Sequence, residues 1–252
     1  MKIALTATDQ PKAQEAHAEL SKRYDIVDAS DADIIIALGG DGLMLQCLKK
    51  SMDTHQKIFG MHCGSVGFLM NNYSADNLEE RLAAAVENKL SPLKMTATDI
   101  EGTKQEARAI NEVSLLRKSA QAAHLKIMVD DRERLSELAC DGVMVATPAG
   151  STAYNLSAHG PILPINAPLL ALTPISAFRP RRWRGALLPD IAKVTIQCLD
   201  YEKRPVSAMA DNFEILNVTK VDIEQDKSTE LKILFDADHN LDERILNEQF
   251  VN

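Results

Sequence analysis

The run Ala32–Leu38, ADIIIAL, is the segment that most restricts what this chain can become. Three consecutive isoleucines with no polar alternation describe a strand buried on both faces, an environment that belongs to a parallel sheet covered by helices. The flanking segments follow the same grammar. Lys2–Ala7 is apolar and strand-like, and Pro11–Arg23 has helical spacing with Ala16 and Leu20 on one face. Gly42–Lys50 reads as a helix carrying Leu43, Leu45 and Leu48, and Lys57–Gly64 as a short strand. Asp76–Asn88 reads as a helix with Leu78, Leu82, Ala85 and Val86 inward. Strand and helix in alternation predict a doubly wound α/β domain.

The pattern changes near Ser91-Pro92. Short alternating segments follow (LKMTATDIE, EARAINEVSLL, HLKIMVDD, ERLSEL, DGVMVATP, then KVTIQCLD, PVSAM, FEILNVTKVDIE and ELKILFD), separated by turn residues. Such a series predicts a β-sandwich or barrel. The expected division is an α/β domain over 1–93, a β-rich domain over 94–240, and a short helix over 241–252 that packs back on the first domain. The fold class is α+β overall.

Composition narrows the function. A net charge of −8 argues against a general nucleic-acid binder, which needs a basic footprint. No apolar run approaches the roughly 20 residues that a bilayer requires, and the opening MKIALTATDQPKAQ reads as a first strand and not as a signal peptide. Cys47, Cys63, Cys140 and Cys198 are scattered without CxxC spacing, which disfavours a disulfide framework or zinc site and favours a reducing cytoplasm. One basic cluster stands out, FRPRRWRG at Phe178–Gly185. It is read either as a solvated loop or subunit contact, or as a site for an anionic substrate.

Several stretches carry chemistry. Gly39-Gly40-Asp41-Gly42 sits where a strand ends and a helix begins, the place where open α/β sheets bind anions. Either it is a phosphate loop, or it is a tight turn with Asp41 as N-cap. A second glycine loop, GMHCGSVGFL at Gly60–Leu69, follows the next strand, and Gly64 and Gly67 would admit a ligand there. His62 in this loop lacks an acidic or histidine partner at metal-ligand spacing. In AINEVSLL, Asn111 offers donors and an acceptor suited to an adenine edge, and Glu112 a carboxylate suited to ribose hydroxyls. The stretch CDGVMVATPAGSTAYNLSAHGP, Cys140–Pro161, joins a strand to a short helix over Ser151–Ala158. Gly150, Ser151 and Thr152 would present donors together at its start, and Tyr154 is either a flat face for a base or a core residue.

In this order the motifs GGDG (39–42), GxxGFL (64–69), NE (111–112) and DGVMVATPAGSTAYNLSAHGP (141–161) resemble those of the NAD kinases, which phosphorylate the 2′-hydroxyl of NAD with ATP. The resemblance covers most of the chain. It implies a Rossmann-like N-terminal domain, a β-rich C-terminal domain, a site between them, and a homodimer or homotetramer. It implies Asp41 as proton acceptor and Gly39, Gly40 and Gly42 along the phosphates. Asp41, Gly42, Asn111, Glu112, His124, Asp141, Thr152, Ala153, Tyr154 and Ser157 would hold NAD, partly across a subunit boundary. Mg²⁺ is expected through the phosphates of ATP and not at a protein metal site; polyphosphate is an alternative donor. No nucleic-acid or membrane partner is expected. Ala149, His159 and His62 depart from the family pattern, and MADNFE at Met209–Glu214 resembles the family's DG turn with Asn212 in place of Gly after Asp211. GGDG is shared with lipid and sphingoid-base kinases, so such a kinase, or a non-catalytic NAD sensor, is the competing reading.

Overall fold

A computed structural model describes residues 1–64, 67–181 and 183–237; the helix expected over 241–252 lies outside them. The described chain divides into two units, one made of residues 1–90 and 229–237, the other of residues 91–228.

The first unit contains β1 (Ile3–Ala7), α1 (Pro11–Arg23), β2 (Ile34–Gly39), α2 (Asp41–Thr54), β3 (Lys57–His62), β4 (Asn71–Asn72), α3 (Leu78–Ala84) and β5 (Val86–Leu90). Its sheet runs β1-β2-β3, then the strand Leu231–Phe235, then β5, with β4 paired to β3. β1, β2, β3 and Leu231–Phe235 are parallel, and β5 is antiparallel to its neighbour. Every residue of β2 is buried, as its isoleucine run requires. The pleat sends Ile34, Ile36 and Leu38 into one core with Ala13, Ala16 and Leu20 of α1 and Leu78 and Leu82 of α3. α2 packs on β2 and β3 through Met44, Cys47, Leu48, Ser51 and Met52. This i, i+3, i+4 stripe differs from the expected leucine face, since Leu43 and Leu45 are only partly covered.

Two further expectations are corrected. The helix predicted over Asp76–Asn88 stops at Ala84, and Val86 is 52% exposed at the start of a strand. Leu231–Phe235, expected in the β-rich domain, completes the first sheet instead. Asn71 is fully buried beside it, donating from Nδ2 to the carbonyls of Gly60 and Leu234 and accepting the Asp236 N–H. Arg81 of α3 grips the Asp236 carboxylate with Nε and Nη2 at 2.9 and 2.7 Å. A planar guanidinium suits this two-pronged pairing.

The second unit is a β-sandwich. In chain order it contains β6 (Leu93–Asp99), β7 (Lys104–Ala109), β8 (Glu112–Arg117), β9 (Ala123–Val129), β10 (Arg132–Cys140), β11 (Gly142–Ala146), α4 (Tyr154–Ser157), β12 (Leu169–Ile175), β13 (Ala186–Pro189), β14 (Val194–Leu199), β15 (Val206–Ala210), β16 (Phe213–Ile215) and β17 (Val218–Gln225). One six-stranded sheet runs β10-β9-β14-β17-β6-β7, the other β13-β12-β11-β8-β15-β16, with every pairing antiparallel. Leu125, Ile127, Val194, Ile196, Val221 and Ile223 of the first meet Val113, Leu115, Val143, Val145, Leu170 and Leu172 of the second in one core. Burying each such side chain is worth about 1.5–3 kcal/mol. The second sheet is also covered outside: Ala146 and Ala171 pack against Leu163, from the segment that follows β11.

Candidate functional site

The first group of expected residues gathers at the carboxyl end of β2. Gly40 is the N-cap of α2 in an extended conformation and Asp41 is its first residue, so Asp41 is not the cap. Its carboxylate turns to the second glycine loop instead. Oδ2 accepts the N–H of Phe68 at 2.9 Å and Oδ1 that of Leu69 at 3.1 Å. Two backbone donors, one on each oxygen, fix the direction of the carboxylate at the start of α2. Among the described residues nothing lies within 4 Å of where a Cβ on Gly40 or Gly42 would stand, which leaves the backbone at the helix start unobstructed by them. Gly39 is enclosed, against Thr8 and Leu43. Gly67, expected to make room for a ligand, makes room for Asp41. His62 pairs with Asn72 Oδ1 at 3.0 Å and lines a pocket with Lys12, Glu19 and Tyr73.

The second group forms where β8 begins. Thr147 donates its N–H to the Asn111 carbonyl at 2.9 Å and its hydroxyl to the Ile110 carbonyl at 2.7 Å. Gly150 presses on the Asn111 backbone so closely that a Cβ would stand 2.2 Å from the carbonyl oxygen. These contacts bring the NE dipeptide and the TPAGSTAY segment together. The donors expected at Gly150 and Ser151 are consumed internally. The Gly150 N–H goes to Thr147 Oγ1, and Ser151 Oγ donates to the Pro148 carbonyl while accepting the Leu163 N–H. Asn155, fully buried, donates to the Ser151 and Pro161 carbonyls and accepts the Thr173 hydroxyl. That scaffold leaves Tyr154 39% exposed and Ser157 exposed, with Thr152 and Ala153 partly so. Tyr154 is not a core residue.

Glu112 is set apart electrostatically. Burial and the neighbouring Asp211 push its carboxyl up to about 7, and Oε2 is buried with no hydrogen-bond partner among the described residues. Desolvation disfavours the charged form, and a nearby like charge adds to it.

Asp141 and His124 do not join this cluster within one chain. Glu112 pairs with Ala146 at one end of β11, whereas Asp141 precedes Gly142 at the other, about 17 Å of strand away. There Asp141 is bound by Arg117 Nε at 2.6 Å. His124 stands opposite Ala139 on the other sheet, its Nδ1 3.4 Å from Glu137 Oε1 and 3.9 Å from Asp200 Oδ2. The basic cluster is likewise separate: Arg179 and Arg181 each stack on the exposed ring of Phe178, 5.5 Å from its centroid, and Trp183 packs on the sandwich core.

Comparison with known proteins decides the family. Residues 2–90 match the ATP-NAD kinase N-terminal domain and residues 110–225 the ATP-NAD kinase C-terminal domain. The NAD kinase of Hyphomonas neptunium is 58% identical over 99% of this chain and 98% of its own, and that of Caulobacter vibrioides 55% identical over 99% and 96%. The chain belongs to the ATP-NAD kinase family.

Solved structures show the same fold. The yeast NADH kinase complexed with NADH superposes with a TM-score of 0.82 over 98% of this chain and 86% of that one, at 20% identity. The NAD kinase from Archaeoglobus fulgidus in complex with ATP gives 0.77, covering 98% of each chain at 23% identity. The lipid-kinase and sensor readings are not favoured by these relatives. Two features of this ATP-NAD kinase family member were not found from sequence. The Phe68 and Leu69 N–H groups carry no side-chain signal at all. Asp211 was visible only through the likeness of MADNFE to the family's DG turn, and its bonds to the backbone of Ile110 and Asn111 carry no sequence signal.

Proposed function

We propose that this chain, an NAD kinase that forms NADP, moves a phosphoryl group from ATP to the 2′-hydroxyl of the adenosine ribose with Asp41 as the proton acceptor. The observation that carries this reading is the Asp41 carboxylate, fixed by the Phe68 and Leu69 N–H groups at the start of α2. One N–H on each oxygen leaves a lone pair on each for the ribose hydroxyl. Phosphoryl transfer asks mainly for positioning and charge stabilisation, so a weak base held in a fixed direction suffices. The open backbone at Gly40 and Gly42 and the aligned N–H groups of α2 receive phosphate oxygens. Mg²⁺ held by the phosphates of ATP would offset the charge that otherwise repels Asp41.

In the second unit Asn111, Glu112, Thr152, Ala153, Tyr154 and Ser157 hold the dinucleotide. Asp141 and His124, at the opposite end of the sandwich, serve the same pocket only from a second copy, which favours a homodimer or larger assembly. Formation of NADP from NAD, Mg²⁺ and ATP by the wild type and by Asp41→Asn tests the assignment. Wild-type turnover in the variant would remove Asp41 from the chemistry. Replacing ATP with inorganic polyphosphate in the same assay defines the donor.

A further inference from the structure

The hairpin between β15 and β16 reaches the backbone of Asn111 and Glu112. Asp211 occupies the turn between β15 and β16 with φ 50°, a left-handed conformation that aspartate tolerates because its short side chain bonds locally. Its Oδ2 accepts the Ile110 N–H at 2.8 Å. Oδ1 accepts the Asn111 N–H at 2.9 Å and, more weakly, that of Glu112 at 3.4 Å. The Asp211 N–H returns a bond to the Glu112 carbonyl at 3.1 Å. One carboxylate thus holds three successive backbone donors where β8 begins.

Glu112 stands beside this charge. Across the sheet it faces Ala146 on β11, while Ala210 on β15 lies opposite the adjacent Val113. Burial raises the Glu112 carboxyl, and the charge of Asp211 raises it further. Satisfying these backbone donors serves folding, but placing the carboxylate beside a second acid does not. A tight hairpin needs no carboxylate, and a half-buried acid beside a second acid costs stability. The cost is understandable where two side chains must be offered to a ligand in a set direction.

We propose that Asp211 is a positioning residue for the acceptor nucleoside: by tying down the N–H groups of Ile110, Asn111 and Glu112 and placing a fixed negative charge beside Glu112, it sets the direction and the hydrogen-bonding character of the pair. The inference rests on the assignment of Asn111 and Glu112 to the adenosine of NAD. Its consequence is that Glu112 changes from donor and acceptor to acceptor only near neutral pH, so that NAD recognition is pH-dependent there.

Steady-state kinetics of Asp211→Asn from about pH 5 to pH 9 test it. KM for NAD rises roughly tenfold, as expected when a hydrogen bond to a charged group is lost, and KM for ATP stays at the wild-type value. The inflection of KM for NAD, near pH 7 in the wild type, moves to lower pH once the neighbouring charge is gone. Asp211→Glu, which keeps the charge but displaces it, retains the inflection. A folded Asp211→Asn with wild-type KM for NAD and an unmoved pH profile overturns the proposal. So does a wild-type KM for NAD that is flat through pH 7, a result that needs no variant to fold. Asn111→Ala and Glu112→Gln separate the two levels. If both leave KM for NAD unchanged, the adenosine assignment itself is wrong; if they raise it while Asp211→Asn does not, only the role of Asp211 is lost.

Discussion

Gly67 lies so close to Asp41 that a methyl group on it would stand 2.3 Å from Oδ1 and 2.7 Å from Cγ. The two glycine loops therefore meet on one carboxylate. Gly67→Ala must push Asp41 off the Phe68 and Leu69 N–H groups or shift the loop itself. Misplacing a reacting group by about 1 Å can cost around a hundredfold in rate, and a loss of that order in kcat is expected with the far-UV spectrum unchanged. Wild-type kcat in a folded Gly67→Ala would show that the contact is not needed.

On the proposed role of Asp41, Asp41→Asn keeps the shape and removes the proton acceptor. Its amide has one acceptor oxygen for two backbone donors, and its NH₂ group must face an N–H. Turnover is expected to fall by about 10²–10⁴, the usual worth of a positioned proton acceptor, while NAD binding measured by calorimetry largely survives. Loss of NAD binding in step with turnover would assign Asp41 to binding alone.

The scaffold that joins Asn111 to the TPAGSTAY segment is equally specific. Gly150→Ala sets a methyl group against the Asn111 backbone, where no side-chain rotation relieves the clash. Overpacking of this kind costs typically about 1–3 kcal/mol, read as a lower urea midpoint, and KM for NAD should rise with it because Asn111 is displaced. A loss of stability with unchanged KM would detach the scaffold from the site.

Tyr154 gives the opposite expectation. It is 39% exposed on a one-turn helix, so Tyr154→Ala should leave the unfolding free energy within about 0.5 kcal/mol of the wild type. KM for NAD should rise more than KM for ATP. Equal changes in both would argue against Tyr154 as a face for NAD.

What was legible in the sequence follows from what is local. The isoleucines of β2 and the Ala16–Leu20 stripe of α1 state their environment within a few residues, and both are buried as read. The strand Val86–Leu90 does not: Ala83-Ala84-Ala85 before it favours helix, and its partner, Leu231–Phe235, returns from the far end of the chain. The same long return hid the membership of Leu231–Phe235, whose apolar pattern fits a sandwich strand as well as a central parallel one. At the site, side-chain chemistry made Asp41, Asn111 and Glu112 visible. The direction in which Asp41 points depends on backbone donors, and the splitting of Asp141 and His124 from Asn111 depends on antiparallel register. Neither is written in residue types.

Glu112 finally links the site to stability. Its carboxyl is raised from an ordinary value of 4.5 to about 7 by burial and by Asp211. The folded protein keeps this proton through a range in which the unfolded chain has released it, so it binds more protons than the unfolded state there. Stability therefore falls as pH rises from about 4.5 to about 7 and loses nothing further from this group above that, a total on the order of 3 kcal/mol. Glu112→Gln carries no charge to bury and should flatten that part of the profile. The difference in unfolding free energy, variant minus wild type, should grow with pH across this window, with the variant favoured at pH 8, while KM for NAD worsens. Parallel profiles for the two proteins would mean that Glu112 is ionised in the folded state at the same pH as in the unfolded chain.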